Sequence, residues 1–225
     1  MFINMNQQNN TEVIKVYQSG CYWGGGRTFI KNSVLVPNIE DADIIILPGG
    51  ADINPSIYHK ERHHTTTWLN QERDEREIND FNSVREDQVV LGICRGAQLL
   101  CALFGGILVQ NCHNHCGCDH QITNGEKTFN ITSIHHQMMY PYDIPKENYD
   151  ILYRSTRRLS DVYEGDGVNP QLIIEDGEPE IVLFHKEGMP LSLAVQGHPE
   201  MMPGSPVSNM ISDLLISYVN ERKSK

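Results

Sequence analysis

Residues 89–100 read Val-Val-Leu-Gly-Ile-Cys-Arg-Gly-Ala-Gln-Leu-Leu, and this stretch decides the fold. An apolar run is interrupted by a Gly-x-Cys-x-Gly motif and then resumes with helical spacing, which predicts a strand, a sharp turn and a helix. Gly92 and Gly96 suit this turn because so tight a bend leaves no room for side chains two residues on either side of its tip. The motif therefore places Cys94 at the tip.

Cys94 has two interpretations at this position. At the start of a helix, backbone N–H groups and the positive end of the helix dipole favour a thiolate, which makes Cys94 a candidate nucleophile. Most free cysteines, however, are small buried apolar residues. The motif alone leaves both interpretations open, and the rest of the chain has to decide between them.

Composition restricts the class of protein. The chain has 225 residues, 39% of them hydrophobic and 21% charged, which is typical of a globular protein with one substantial core. We expect a single domain over residues 1–225, with the polar residues 1–10 disordered. The net charge of −11 disfavours nucleic acid as a partner. Since no apolar run approaches the ~20 residues that span a bilayer and no signal peptide is evident, we expect no membrane partner, a cytoplasmic location and reduced cysteines.

The pattern along the chain predicts an α/β fold with a mostly parallel central sheet, helices on both faces and a small antiparallel addition. The β-branched run at 43–47 is typical of a strand buried on both faces, and the charged helix predicted at 68–85 supplies a crossover between parallel strands. A further helix is predicted at 207–222. The other predicted strands are 11–18, 107–110, 127–133, 149–153, 171–174, 181–184 and 191–195, and the predicted loops are 21–28, 52–67 and 138–149.

Pro48-Gly49-Gly50 follows the buried strand at 43–47. Ligands of doubly wound sheets gather beyond the carboxyl ends of the strands, and glycines there leave backbone N–H groups unshielded. Gly50 is therefore a candidate oxyanion donor. An ordinary glycine turn is the alternative.

His198 and Glu200 leave the end of the last predicted strand two residues apart. In extended backbone both side chains project to the same side. A thiol nucleophile needs a base, and the base needs a third group that orients it. We therefore expect Glu200 to hold one ring nitrogen of His198 while the other ring nitrogen faces Cys94.

The segment 112–120 concentrates three cysteines and three histidines. Thiolates and imidazoles are zinc ligands, so a zinc site is one interpretation. The cysteine spacing lacks the paired Cys-x-x-Cys of structural zinc sites, and one short loop supplies all the ligands. We therefore favour a polar loop near the active site and predict neither a metal nor another cofactor.

Four motifs occur in an order that resembles the class I glutamine amidotransferases, over about residues 43–200. They are Pro48-Gly49-Gly50, Gly92-Ile93-Cys94-Arg95-Gly96-Ala97-Gln98, Ser133-Ile134-His135-His136-Gln137 and Gln196-Gly197-His198-Pro199-Glu200. The arginine after the cysteine and the Ser-x-His-His-Gln are similar to the branch containing the γ-glutamyl-γ-aminobutyrate hydrolases, the peptidase C26 group. Gly197 departs from the aromatic residue common before the His-Pro-Glu, and segment 112–120 is unlike the family.

The resemblance implies that the Cys94 thiolate attacks a γ-glutamyl amide and forms a thioester, with His198 as proton relay and Glu200 as the third member of a triad. It also implies an oxyanion hole made by the backbone N–H groups of Gly50 and Arg95. The residues that it places at the glutamyl pocket are Gly49, Gln98, Ser133, His135 and His136.

Three functions are compatible with these residues. A hydrolase of a small γ-glutamyl amide needs no partner, and we favour it because of the Ser-x-His-His-Gln motif. A glutaminase that passes ammonia onward needs a separate synthetase chain, because no ATP-binding domain fits in 225 residues. A zinc-stabilised binding module without catalysis is the third possibility, although it has no need for Cys94, His198 and Glu200 together.

Overall fold

The computed structural model describes residues 12–20 and 26–224. Within them, strands β1 to β13 are Ile14–Gln18, Ser33–Leu35, Ile44–Leu47, Val89–Ile93, Ile107–Val109, Asn111–Cys112, Cys116–Thr123, Thr128–Ile134, Met138–Tyr140, Tyr149–Ser155, Tyr163–Glu164, Pro179–Phe184 and Leu191–Val195. Helices α1 to α4 are Gln71–Asn82, Arg95–Leu103, Pro170–Asp176 and Pro206–Lys223.

Nine of the described strands form one sheet in the order β2-β1-β3-β4-β13-β12-β10-β7-β8. The five strands from β2 to β13 are parallel, and the four that follow are antiparallel. Two small antiparallel pairs, β5 with β9 and β6 with β11, lie beside this sheet. The predicted α/β architecture is thereby confirmed, with its antiparallel part continuing the edge of the parallel sheet.

Helices cover both faces of the sheet because side chains of the central strands alternate between two apolar cores. On β4, for example, Val90 packs in the core that contains α2 and Phe81 of α1, whereas Leu91 packs in the core under α4. Helix α4 begins at the Ser205 cap, whose side chain accepts a hydrogen bond from the backbone N–H of Ser208. Its buried apolar residues recur at every fourth position, which are Val207, Ile211, Leu215 and Val219.

The prediction of a strand at 171–174 is wrong, since these residues belong to α3. The side chain of Asn169 accepts a hydrogen bond from the backbone N–H of Gln171, and Pro170 occupies the first helical position. Gly177 ends the helix with a φ of 91°. The cap residues at both ends therefore outweigh the strand preference of the apolar run Leu-Ile-Ile.

Three predicted loops contain regular structure. The segment 52–67 includes a short 3-10 helix at Pro55–Tyr58, and the segment 138–149 begins with β9. In the segment 112–120, residues from Cys116 onward form β7, which pairs with β8. From Cys116 onward the segment is therefore a hairpin strand held by backbone hydrogen bonds and not a loop.

The predicted disorder of residues 1–10 and most of the predicted loop at 21–28 lie outside the described residues. Among the residues that the structure describes, no helix is both long and apolar enough to cross a membrane.

Candidate active site

Cys94 occupies a strained backbone position between β4 and α2. Its φ of 50° and ψ of −103° lie outside the regions that side-chain-bearing residues ordinarily adopt. Such strain persists only where the surrounding structure imposes it, and it is concentrated at functional sites. The predicted strand, sharp turn and helix are present, with Cys94 at the tip.

The two flanking glycines permit the strained turn. A Cβ atom on Gly92 would lie 2.5 Å from the carbonyl oxygen of Gly96, and one on Gly96 would overlap the carbonyl oxygen of Leu47. The helix therefore packs backbone against backbone on the end of β3. This contact fixes the position of Cys94 relative to the neighbouring strands.

The carboxyl ends of three adjacent strands bring the predicted site residues together. Strand β4 lies between β3 and β13, with Gly92 opposite Leu47 and Ile93 opposite Val195. The next residues along the chain lead to Gly49, Cys94 and His198 from the same edge of the sheet. Residues separated by more than a hundred positions in the sequence thus meet in one place.

His198 and Glu200 form a hydrogen-bonded pair. Nδ1 of His198 lies 2.7 Å from Oε1 of Glu200, and both side chains are largely buried. A carboxylate at Nδ1 directs the remaining ring nitrogen, Nε2, away from Glu200. The carboxylate therefore sets the orientation of the ring.

The Cys94 sulfur lies next to the His198 ring. A Cβ atom at Gly49 would lie 3.6 Å from Cβ of Cys94 and 3.0 Å from Cε1 of His198, so one position touches both residues. Burial lowers the pKa of His198, but interaction with Cys94 and Glu200 outweighs burial and raises this pKa to about 10. Nε2 has no well-aligned hydrogen bond among the described residues. It is therefore available to exchange a proton with the sulfur or a substrate.

Gly49 and Gly50 are held in place by Arg73 of α1. The guanidinium donates hydrogen bonds of 3.0 Å to the carbonyl oxygens of Pro48 and Gly49, and a Cβ on Gly50 would overlap it. Gly50 has a φ of 155°, which also favours glycine. Arg95 is the first residue of α2, where backbone N–H groups have no acceptor within the helix.

The side chain of Arg95 has a role that the sequence analysis missed. It is 2% exposed and forms ion pairs with Asp74 and Glu77 of α1. Glu77 also accepts a 2.7 Å hydrogen bond from Nε of Arg73. The sequence contained one signal, because Asp74 and Glu77 lie at helical spacing with Phe81 and thus on the buried face of α1.

The segment 133–136 lies beside Cys94, since the carbonyl oxygen of Ile134 is 3.9 Å from Sγ of Cys94. Two of its predicted pocket residues face the interior. The hydroxyl of fully buried Ser133 donates to the carbonyl of His115 at 2.7 Å, and Nδ1 of His135 lies 2.8 Å from the carbonyl oxygen of Gln137. Burial holds the pKa of His135 well below its ordinary value, so this ring is neutral.

Two other predicted pocket residues make polar contacts around the same segment. Nε2 of His136 lies 3.0 Å from Oδ1 of Asp52, and this hydrogen bond raises the pKa of His136. Asp52 is a second residue that the sequence analysis missed. The side-chain amide of Gln98 donates to the carbonyl oxygen of Gln137 at 2.9 Å, which ties α2 to the segment.

Comparisons of the sequence with known proteins agree on one family. The model of the peptidase C26 family matches residues 29–200, which is more than half of the chain. A candidate glutamine amidotransferase-like protein of Lactococcus lactis subsp. lactis is 29% identical over 169 residues, which are 70% of this chain and 66% of the relative. A candidate glutamine amidotransferase of Mycobacterium tuberculosis is 28% identical over 165 residues, 72% of this chain and 52% of the relative. Three other relatives match over 27% to 37% of their own lengths.

Solved structures share the fold at low sequence identity. A candidate GMP synthase component from Thermoplasma acidophilum superposes with a TM-score of 0.61 at 16% identity, and the match covers 95% of this chain and 97% of that protein. A glutamine amidotransferase of Thermotoga maritima gives a TM-score of 0.52 at 12% identity, with 94% and 84% covered. The resemblance inferred from the four motifs is confirmed, and the chain belongs to the peptidase C26 family of the class I glutamine amidotransferase-like superfamily.

Proposed function

We propose that this protein hydrolyses the amide bond of a small γ-glutamyl compound, either glutamine or a γ-glutamyl amine, through a thioester on Cys94. Membership of the family supports a hydrolase of carbon–nitrogen bonds. The observation that carries the proposal is the strained Cys94 beside a His198 ring that Glu200 holds at 2.7 Å. Strain at a thiol with an oriented base is the arrangement that nucleophilic catalysis needs.

The first half of the reaction forms the acyl-enzyme. The sulfur of Cys94 attacks the γ-carbonyl carbon, and the carbonyl π-electrons move onto oxygen. The backbone N–H groups of Gly50 and Arg95 stabilise this oxyanion, an effect worth roughly 2.7–4 kcal/mol per donor in comparable sites. When the carbon–nitrogen bond breaks, the amine leaves with a proton from Nε2 of His198.

The second half releases glutamate. His198, now neutral, accepts a proton from a water molecule that attacks the thioester carbonyl, and the sulfur leaves as a thiolate. Glu200 stabilises the protonated ring in both halves through Nδ1. Thiolate and imidazolium are then restored, and the proton released when the γ-carboxyl group ionises is taken up by the free amine, so that the protons balance over the cycle.

The glutamyl part of the substrate is proposed to lie between the Gly49 turn and the segment 133–136. Gly49, Gln98, Ser133, His135 and His136 border this space. In the structure, the side chains of Gln98 and His135 bind the carbonyl oxygen of Gln137, and the Ser133 hydroxyl donates to that of His115. His136 is the partly exposed member, with a side chain 36% exposed, and it is suited to contact a substrate carboxylate directly.

Turnover by the protein alone tests this proposal. The purified protein is incubated with glutamine and with a panel of γ-glutamyl amines, and glutamate release is measured. Cys94→Ala is expected to abolish release, whereas Cys116→Ser, which changes an exposed thiol, retains it. Release by Cys94→Ala, or none by the wild type with any of these compounds, counts against the stand-alone hydrolase.

A glutaminase component that delivers ammonia to a separate synthetase is the alternative. It is favoured by one finding, the fold shared across 97% of a protein described as part of a GMP synthase. Glutaminase activity that appears only after a synthetase chain is added would select this alternative over the hydrolase.

A further inference from the structure

A cluster of buried ionisable side chains lies behind the candidate active site. Its members are His115, His120, His135, Glu178 and Glu180, all less than 9% exposed. The two glutamates are fully buried. Buried carboxylates need partners, and among the described residues Glu180 has one on one oxygen only, since its Oε1 lies 2.7 Å from Nε2 of His120.

Several polar atoms of this cluster lack partners. Both ring nitrogens of His115, Nδ1 of His120, Nε2 of His135 and Oε2 of Glu180 are buried and have no hydrogen-bond partner among the described residues. A buried polar atom without a partner costs roughly 1–3 kcal/mol. Five such atoms in one cluster call for a polar or charged partner.

We propose that His115, His120 and Glu180 bind a divalent transition-metal ion, with Zn²⁺ as the expected ion. One donor atom from each residue lies within 4.8 Å of the others. Ligands of a tetrahedral zinc with bonds of ~2.0–2.1 Å lie about 3.3 Å apart, so shifts of about an ångström complete the site. Two imidazoles and one carboxylate are a ligand set that proteins use for zinc.

Glu178 supplies the outer support that a metal-bound histidine needs. Its Oε1 lies 3.3 Å from Nε2 of His115 and accepts hydrogen bonds from the Ser160 backbone at 2.9 Å and the Tyr163 hydroxyl at 2.7 Å. A carboxylate on one ring nitrogen leaves the other for the metal. In His115 the atom left over is Nδ1, while Nε2 makes an ion-pair contact with Glu178 but no well-aligned hydrogen bond.

The thiols of the same segment lie outside this site. The thiol of Cys118 donates a hydrogen bond of 3.0 Å to the carbonyl oxygen of Asn114, and Cys116 is exposed. The zinc interpretation in the sequence analysis combined thiols with imidazoles, whereas the structure separates them. Glu180, from a strand more than fifty residues away, takes the place of the thiols.

The proposed ion has a route of entry and a structural consequence. His120 lines a surface cavity of about 290 Å³. The carbonyl oxygen of His115 accepts hydrogen bonds from Ser133 and His135, and that of Glu180 accepts one from Gln196, two residues before His198. An ion on these residues would therefore brace both segments that border Cys94.

Metal content and affinity test the proposal without any activity assay. The full-length wild type is stripped with a chelator and titrated with Zn²⁺ against a chromophoric competitor. We expect one zinc per chain and, at a hundredfold excess over Kd, a Tm higher by about 5 °C. His120→Gln and Glu180→Gln are expected to weaken binding at least tenfold, whereas Cys94→Ala should leave it unchanged.

Two variants on the same segment serve as controls. His113→Gln changes a histidine whose side chain is 52% exposed, and Cys118→Ser changes a thiol outside the site, so both should bind zinc as the wild type does. A wild type that neither binds zinc nor gains thermal stability from it overturns the proposal. Loss of zinc in Cys118→Ser with retention in His120→Gln overturns it as well.

Discussion

Replacing Glu77 by glutamine removes one charge from a buried network that supports the site. Glu77 is fully buried and accepts from both Arg95 and Arg73, while Arg73 also holds the carbonyls of Pro48 and Gly49. The variant keeps the size of the side chain and one acceptor oxygen. It leaves Arg73 without its charged partner and Arg95 with the single carboxylate of Asp74.

The expected destabilisation follows from this loss of charge balance. Removing one partner of a buried ion pair costs about 3–5 kcal/mol, and the retained amide oxygen places Glu77→Gln near 3 kcal/mol. The unfolding entropy of 225 residues is about 0.5 kcal/mol per kelvin, so Tm should fall by about 6 °C. A loss of this size leaves a typical domain folded.

Thermal and urea unfolding measure this effect, with Glu75→Gln as the control on the exposed face of the same helix. The control should change stability by no more than about 0.5 kcal/mol. Freed from Glu77, Arg73 should also hold the Gly49 turn less firmly, which lowers kcat. A Tm of Glu77→Gln equal to that of Glu75→Gln would refute the reasoning.

Three further predictions concern the proposed nucleophile Cys94, its proposed base His198 and the turn that positions Cys94. Glu200→Gln should lower the pKa of His198 from about 10, so the alkaline limb of the pH profile of kcat/KM moves to lower pH. An unmoved limb would show that Glu200 does not raise the pKa of His198. Because the folded-state pKa of His198 is raised, the pairing of this residue contributes fully to the free energy of unfolding below about pH 6.5, and the contribution is lost as pH rises through 10. Urea unfolding at several pH values measures this loss. An equal loss of stability at alkaline pH in Glu200→Gln would contradict the prediction. Gly96→Ala places a Cβ against the carbonyl oxygen of Leu47 and should lower the free energy of unfolding by about 3 kcal/mol, as measured by thermal unfolding. A Tm equal to that of the wild type would contradict the close contact between this glycine and Leu47.

The elbow could be predicted from the sequence because its requirements are local. Gly92 and Gly96 are spaced by the turn itself, and the strand before it reads as a buried run. His198 and Glu200 could be paired for the same reason, since two residues of extended backbone place them on one side. The meeting of these two motifs followed from the rule that parallel strands end at a common edge.

The remaining features depend on contacts between distant residues. Asp74 and Glu77 lie in a strongly charged helix, and nothing in the local sequence identifies their buried partner as Arg95. Glu178 and Glu180 likewise meet His115 and His120 only through the pairing of the antiparallel strands β7, β10 and β12. The wrong prediction of a strand at 171–174 had a different cause, because the helix caps at Asn169 and Gly177 could have been recognised from the sequence.

The most direct test of the central claim is the mass of the intact protein quenched in acid during turnover of glutamine or of the best γ-glutamyl amine. The account predicts an added mass of one γ-glutamyl group, located on Cys94 by peptide mapping, removed by hydroxylamine and absent from Cys94→Ala. Steady turnover by the Cys94→Ala protein, or an acyl group located on another residue, would contradict it.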